Sequence, residues 1–171
     1  MATGTVIPDW ALANAEGAYR YANNVIKGRF PEGEHLIAQD PHTAKWYARD
    51  IIKGRWPPGE AAIAQDANAA YYYACYVLDS IFPMGEAAMA QNCDMAYHYA
   101  RYVIHDRFPL GEATIAASSE AAYMYALDVI KSRWPPGEDA IVTNKHLAGI
   151  YSYVFQDEFT KHERLIWLLK Q

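Results

Sequence analysis

A phrase of 26 residues that returns in register along nearly the whole chain limits the fold more than any other feature of the sequence. Arg29, Arg55, Arg107 and Arg133 lie 26 residues apart or at a multiple of that, and Ile81 takes the remaining place. Each opens the same words: RFPEGE, RWPPGE, IFPMGE, RFPLGE, RWPPGE. A fixed period of this length describes stacked supersecondary units, each too small to bury a hydrophobic face alone. With the opening residue as position 1, five full repeats cover 29–158, and residues 3–28 form a degenerate first repeat.

Position 19 is tyrosine in all six repeats (Tyr21, Tyr47, Tyr73, Tyr99, Tyr125, Tyr151), and position 16 is alanine in all six (Ala18 to Ala148). Position 20 is alanine until Ser152, and positions 23 and 24 are apolar until Gln156. Positions 16, 19, 20, 23 and 24 share one face of an α-helix. The alanines leave room for two helices to approach closely. Position 12 is Asn14, Asp40, Asp66, Asn92, Ser118 and Asn144, all residues whose side chains cap a helix N-terminus. Pro41 then fits the first helical position. Gly28 and Gly54 read as closing residues, with Lys27, Lys53, His105 and Lys131 in the last turn, where a cation suits the helix dipole. This longer helix is predicted over positions 13 to 25.

A shorter helix precedes it. The proline of position 3 keeps the aromatic before it out of the α region and suits a first helical turn. The glutamate of position 6 lies near the positive end of that helix. The glycine between them reads as a turn residue. About two turns fit before the next cap, so packing must hold this helix in place. The expected fold is an all-α solenoid of six two-helix repeats. As one domain, 1–171, it has a cap repeat at 1–28, full repeats at 29–158 and a capping helix at 159–171. In that tail Thr160 and Glu163 read as a capping box. Leu165, Ile166, Trp167, Leu168 and Leu169 follow, either sealing the last repeat or forming an oligomerisation surface.

The phrase F/W-P-x-G-E-x-x-I-A-x-D-x-x-x-A-x-x-Y-A-x-x-V-I-K-G resembles short tandem helical repeats in uncharacterised proteins of tailed phages and large DNA viruses. Residues 29–78 carry the resemblance most fully. It implies a viral origin and a helical solenoid, and it brings no catalytic residue with it. The stacking logic is similar to that of tetratricopeptide and Sel1-like repeats, with a shorter unit and without their signatures.

A net charge of −5 argues against general nucleic-acid or anionic-membrane binding. No apolar run approaches a membrane span. Two cysteines at unrelated positions, Cys75 and Cys93, suggest reduced thiols and a cytoplasmic protein, in the host cytoplasm if a phage encodes it. None of the six histidines has the spacing of a helical zinc site, and no phosphate-binding loop or nucleophile elbow occurs. No catalytic residue, metal or cofactor is expected.

The invariant tyrosines read as a buried column whose hydroxyls need partners, and the position 6 glutamate recurs often enough to supply them. Function falls to the varying positions opposite the core face. Trp46, Arg49, Tyr72, Tyr76, His98, Arg101, Tyr102 and Met124 occupy positions 18, 21 and 22 there, as an exposed face or as filling between repeats. Aromatics with arginine are the chemistry of protein–protein hot spots. The expected partner is a protein, a host or defence factor that the array masks sterically. The alternatives are an oligomeric virion or assembly scaffold and a small-ligand-binding protein or enzyme.

Overall fold

A computed structural model describes residues 6–160 together with Glu163 and Trp167. All regular structure among the described residues is helical. Eleven α-helices follow in tandem: α1 (Ala15–Tyr21), α2 (Pro31–Ile37), α3 (Pro41–Tyr47), α4 (Pro57–Ile63), α5 (Ala67–Tyr73), α6 (Glu86–Met89), α7 (Cys93–Tyr99), α8 (Pro109–Ala116), α9 (Ser119–Tyr125), α10 (Pro135–Ile141) and α11 (Lys145–Val154). A 3-10 turn at Asp9–Leu12 stands where the degenerate first repeat would have its short helix. Contacts gather the chain into two compact halves, Met1–Ala88 and Met89–Gln171.

The six caps form as the sequence predicts. Asn14 accepts from the Gly17 amide at 2.8 Å, and Asp40 and Asp66 accept from Thr43 and Ala69 at 2.7 Å. Asn92, Ser118 and Asn144 do the same for Met95, Ala121 and Leu147 at 3.0, 3.3 and 3.2 Å. The ends of the longer helices differ from expectation. Each α-helix from α1 to α9 that carries an invariant tyrosine widens into a π turn: Ala22–Ile26, Ala48–Ile52, Ala74–Leu78, Ala100–Ile104 and Ala126–Ile130. The reversal then falls on Lys27, Lys53, Asp79, His105 and Lys131, with φ of 57°, 57°, 48°, 59° and 59°. Gly28 and Gly54 are not the left-handed residues. Their amides, at 3.1 and 3.2 Å, reach the carbonyls of Ala22 and Ala48 that already hold the amides of Lys27 and Lys53.

That π turn also corrects the core face. A turn closed by i→i+5 bonds rotates less per residue than an α turn, so positions 23 and 24 swing away from the interior. Val25 and Ile26 are exposed, and Ile51, Ile52, Val77 and Leu78 are half-buried. The core is built instead from positions 2, 9, 16, 19 and 20. Phe30, Ile37, Ala44, Tyr47 and Ala48 of the second repeat are all buried.

The glycine of Pro-x-Gly-Glu is not a turn residue either. Gly33, Gly59, Gly111 and Gly137 sit inside short helices, without positive φ. Each presses against the alanine of position 16 in the preceding repeat. A Cβ on Gly59 would lie 2.9 Å from the Ala44 Cβ and 2.6 Å from the Trp56 ring. On Gly111 it would lie 2.7 Å from both the Ala96 Cβ and the Phe108 ring. Glycine here removes bulk where two helices nearly touch.

The tyrosine then ties each repeat together and joins it to the next. The Tyr47 hydroxyl accepts the Phe30 amide at 2.9 Å and donates to Glu34 Oε1 at 2.8 Å. Arg29 grips that carboxylate through Nε and Nη2, both at 2.9 Å. The same circuit recurs around Tyr73, Tyr125 and Tyr151. The Tyr47 ring meanwhile packs on Trp56 of the following repeat, with centroids 4.9 Å apart. The indole N–H groups of Trp56 and Trp134 have no protein acceptor. This slot therefore selects ring shape, and phenylalanine serves it equally in other repeats.

The circuit has a pH signature. Hydrogen bonds from Arg29 and Arg107 hold the Glu34 and Glu112 carboxyls below their ordinary range. Burial pushes the Tyr47 and Tyr73 phenols up from 10.0 to about 12, and Tyr125 and Tyr151 are raised too. The folded state holds these phenol protons more tightly than the unfolded chain. Their contribution is therefore complete below pH 10 and is lost as pH rises from 10 to about 12. An alkaline titration should show a cooperative rise in phenolate absorbance coinciding with loss of far-ultraviolet helicity. Ionisation of these buried tyrosines with helicity intact would contradict the circuit.

In the C-terminal half, Thr160 and Glu163 form the expected capping box at 2.9 and 3.2 Å. Trp167 is buried, stacks on Tyr151 with centroids 5.5 Å apart, and donates its indole N–H to the Ala148 carbonyl at 3.3 Å. It covers the tyrosine and the alanine that the next repeat would otherwise cover. The burial of Trp167 fits the sealing role. Leu165, Ile166, Leu168 and Leu169 lie outside the described residues.

Candidate interaction surface and the seam cavity

The face opposite the core is open. Trp46, Tyr72, Tyr76 and Tyr102 are 38%, 41%, 60% and 47% exposed, far more than aromatic rings used as filling between repeats. Arg49 is exposed too, while His98, Arg101 and Met124 are half-buried. In the N-terminal half, Trp46, Arg49, Tyr72 and Tyr76 converge on one cavity. In the C-terminal half, His98 and Tyr102 lie 5.8 Å apart between centroids, and the Arg101 guanidinium sits 5.0 Å from the Tyr102 ring. Met124 lies in the same register one repeat further on.

A second network on this face escaped the sequence reading. The Tyr19 hydroxyl donates to Asp50 Oδ2 at 2.7 Å, and Arg49 holds both oxygens of that carboxylate at 2.6 and 3.0 Å. The Arg49 hydrogen bonds draw the Asp50 carboxyl below its ordinary range, and burial raises the Tyr19 phenol to about 12. Three repeats later, Tyr97 donates to Asp128 at 2.5 Å and Arg101 reaches both groups. Position 17 of one repeat thus meets position 22 of the next, a seam bridge between successive longer helices. Its trace in the sequence is tyrosine at position 17 in Tyr19, Tyr71, Tyr97 and Tyr123, with aspartate at position 22 in Asp50 and Asp128.

The seam between α3 and α5 has a cavity of about 280 Å³ lined by Lys45, Trp46, Arg49, Asn68, Tyr72, Tyr76 and Val77. Lys45 is only 8% exposed. Its ammonium donates to Asn68 Oδ1 at 3.0 Å and lies 4.8 Å from the Tyr72 ring centroid and 5.8 Å from that of Trp46. Burial lowers its pKa, the Asp66 carboxylate opposes that fall, and Arg49 adds to it. Tyr72 and Tyr76 stack at 5.3 Å with planes 23° apart.

Among the described residues no three histidine, cysteine or acidic side chains converge to hold a metal ion. Cys75 and Cys93 carry free thiols. No described helix is long and apolar enough to cross a membrane. No protein-family model, curated protein or solved structure matches the chain.

Proposed function

We propose that this chain is a non-enzymatic, phage-encoded protein-binding array that acts in the host cytoplasm by covering the working surface of a host or defence protein. One observation carries the reading. Trp46, Tyr72, Tyr76 and Tyr102 stand exposed at positions 18 and 22 of a scaffold whose described aromatics at positions 2 and 19 are buried, and arginines accompany them in both halves. Exposed rings beside arginine are the residues that dominate binding energy at protein interfaces. The phage origin rests on the resemblance of the repeat phrase.

The test is capture from a lysate of the natural host, followed by affinity measurement with the purified captured protein. Replacing both Tyr72 and Tyr102 with alanine should weaken that affinity at least about 100-fold, since hot-spot truncations cost about 2 kcal/mol or more each. Helicity should not change, because both side chains lie on the exposed face, outside the buried core. Undiminished binding by the double variant would remove this face from consideration.

A further inference from the structure

The seam between α3 and α5 departs from the rule that its neighbour keeps. In the preceding seam, position 17 is Tyr19 and position 22 is Asp50, and the hydroxyl and Arg49 close on that carboxylate. In this seam the same positions hold Lys45 and Tyr76. The exchange removes a carboxylate and introduces an ammonium. Among the described residues no acidic side chain stands within ion-pair distance of Lys45; the Asp66 carboxylate acts on it only from further away, and its hydrogen-bond acceptor is the neutral Asn68. An ammonium has three donors, and a buried cation is costly without a counter-charge. Above it opens a cavity walled by Trp46, Tyr72 and Tyr76.

We propose that this cavity binds a small planar anion, an aromatic or heteroaromatic ring bearing a phosphate or carboxylate. The anionic group takes the part that Asp50 plays in the neighbouring seam, paired with Lys45. The ring lies along the aromatic walls that Trp46, Tyr72 and Tyr76 give the cavity, next to the Tyr72 and Tyr76 rings that stack on each other. Size favours a ring-bearing ligand over a bare anion. A volume of about 280 Å³ is near the lower end for small-molecule pockets and far exceeds what one phosphate fills. The site does not depend on the protein partner. The three rings serve both surfaces, so a ligand here would compete with a partner docked over them.

The experiment titrates the full chain by calorimetry with four probes: adenosine monophosphate, phenylacetate, adenosine and inorganic phosphate. The first two distinguish a phosphate from a carboxylate source. At least one should saturate with Kd at or below about 1 mM. Adenosine and inorganic phosphate each carry half of the chemistry and should bind at least about tenfold more weakly. Lys45→Met keeps the stem and removes the charge, and should abolish binding. Tyr76→Asp restores the carboxylate of the neighbouring seam, so it should also abolish binding while raising Tm. If Lys45→Met does not fold, Tyr76→Asp decides the matter alone. Failure of both ring-bearing anions to bind, equal binding of adenosine, or undiminished binding in the folded variants would overturn the proposal. A protein partner found through Tyr72 and Tyr102 would stand in any of those cases.

Discussion

Tyr73→Phe should destabilise the protein by roughly 2–4 kcal/mol, although it removes a single oxygen atom. That hydroxyl accepts the Trp56 amide at 2.8 Å and donates to Glu60 Oε1 at 3.0 Å. Trp56 and Glu60 are buried, at 3% and 4% exposure, so water cannot replace the lost partner at either. An orphaned buried amide costs about 1–3 kcal/mol, and a hydrogen bond to a charged group contributes about 1.5–3 kcal/mol. Removal of a polar atom from the core offsets part of that sum. Arg55 still holds the carboxylate at 2.7 and 3.0 Å, which keeps the effect from growing larger. Tyr73 also packs on Phe82 of the following repeat, so the loss should extend beyond its own repeat. Urea denaturation followed by circular dichroism measures the change. Tyr72→Phe, at an exposed ring, serves as the control and should stay within about 0.5 kcal/mol. A Tyr73→Phe loss under about 1 kcal/mol would show that the circuit is not what orders the segment that opens a repeat ahead of its short helix.

Gly59→Ala should be comparably damaging, against the trend of helix propensity. Alanine in a helix interior is ordinarily better than glycine by about 1 kcal/mol. Here the added methyl would meet the Trp56 ring at 2.6 and 2.7 Å and the Ala44 Cβ at 2.9 Å. The Ala44 Cβ is fixed to the backbone of α3, and the Trp56 ring is packed against Tyr47. Neither can retreat, so α4 must move off α3 and the core between them loosens. Overpacking of this kind costs about 1–3 kcal/mol, which in a chain of this size lowers Tm by roughly 3–10 °C. Gly54→Ala is the contrasting case. A Cβ there meets nothing within 4 Å, and its φ is not positive. It should leave Tm unchanged or raise it slightly, through the entropy of the unfolded chain. Equal responses from the two glycines would show that close approach at position 5 is not what selects glycine.

The contrast marks which properties could be read from the residues in order. The period, the fold class and the six helix starts depend on neighbours within a turn or two. Side chains such as Asp40 and Asn144 state those locally, through capping chemistry and spacing. The pairing of Glu34 with Tyr47, 13 residues apart, was legible only because repetition displayed both slots again and again. Its backbone donor, the Phe30 amide, the widening of Ala48–Ile52 into a π turn, and the left-handed Lys53 were not legible. A 100° wheel therefore placed positions 23 and 24 too deep.

The sequence by itself determined that helices form, where they begin, and that they stack. Tertiary structure alone decided what meets across the stack: Gly59 against Ala44, Tyr19 against Asp50, and Lys45 against the neutral Asn68 beside Trp46 and Tyr72. The reason is physical. Caps and periodicity act over one helical turn, whereas a seam joins residues 31 apart whose distance depends on the twist from one repeat to the next.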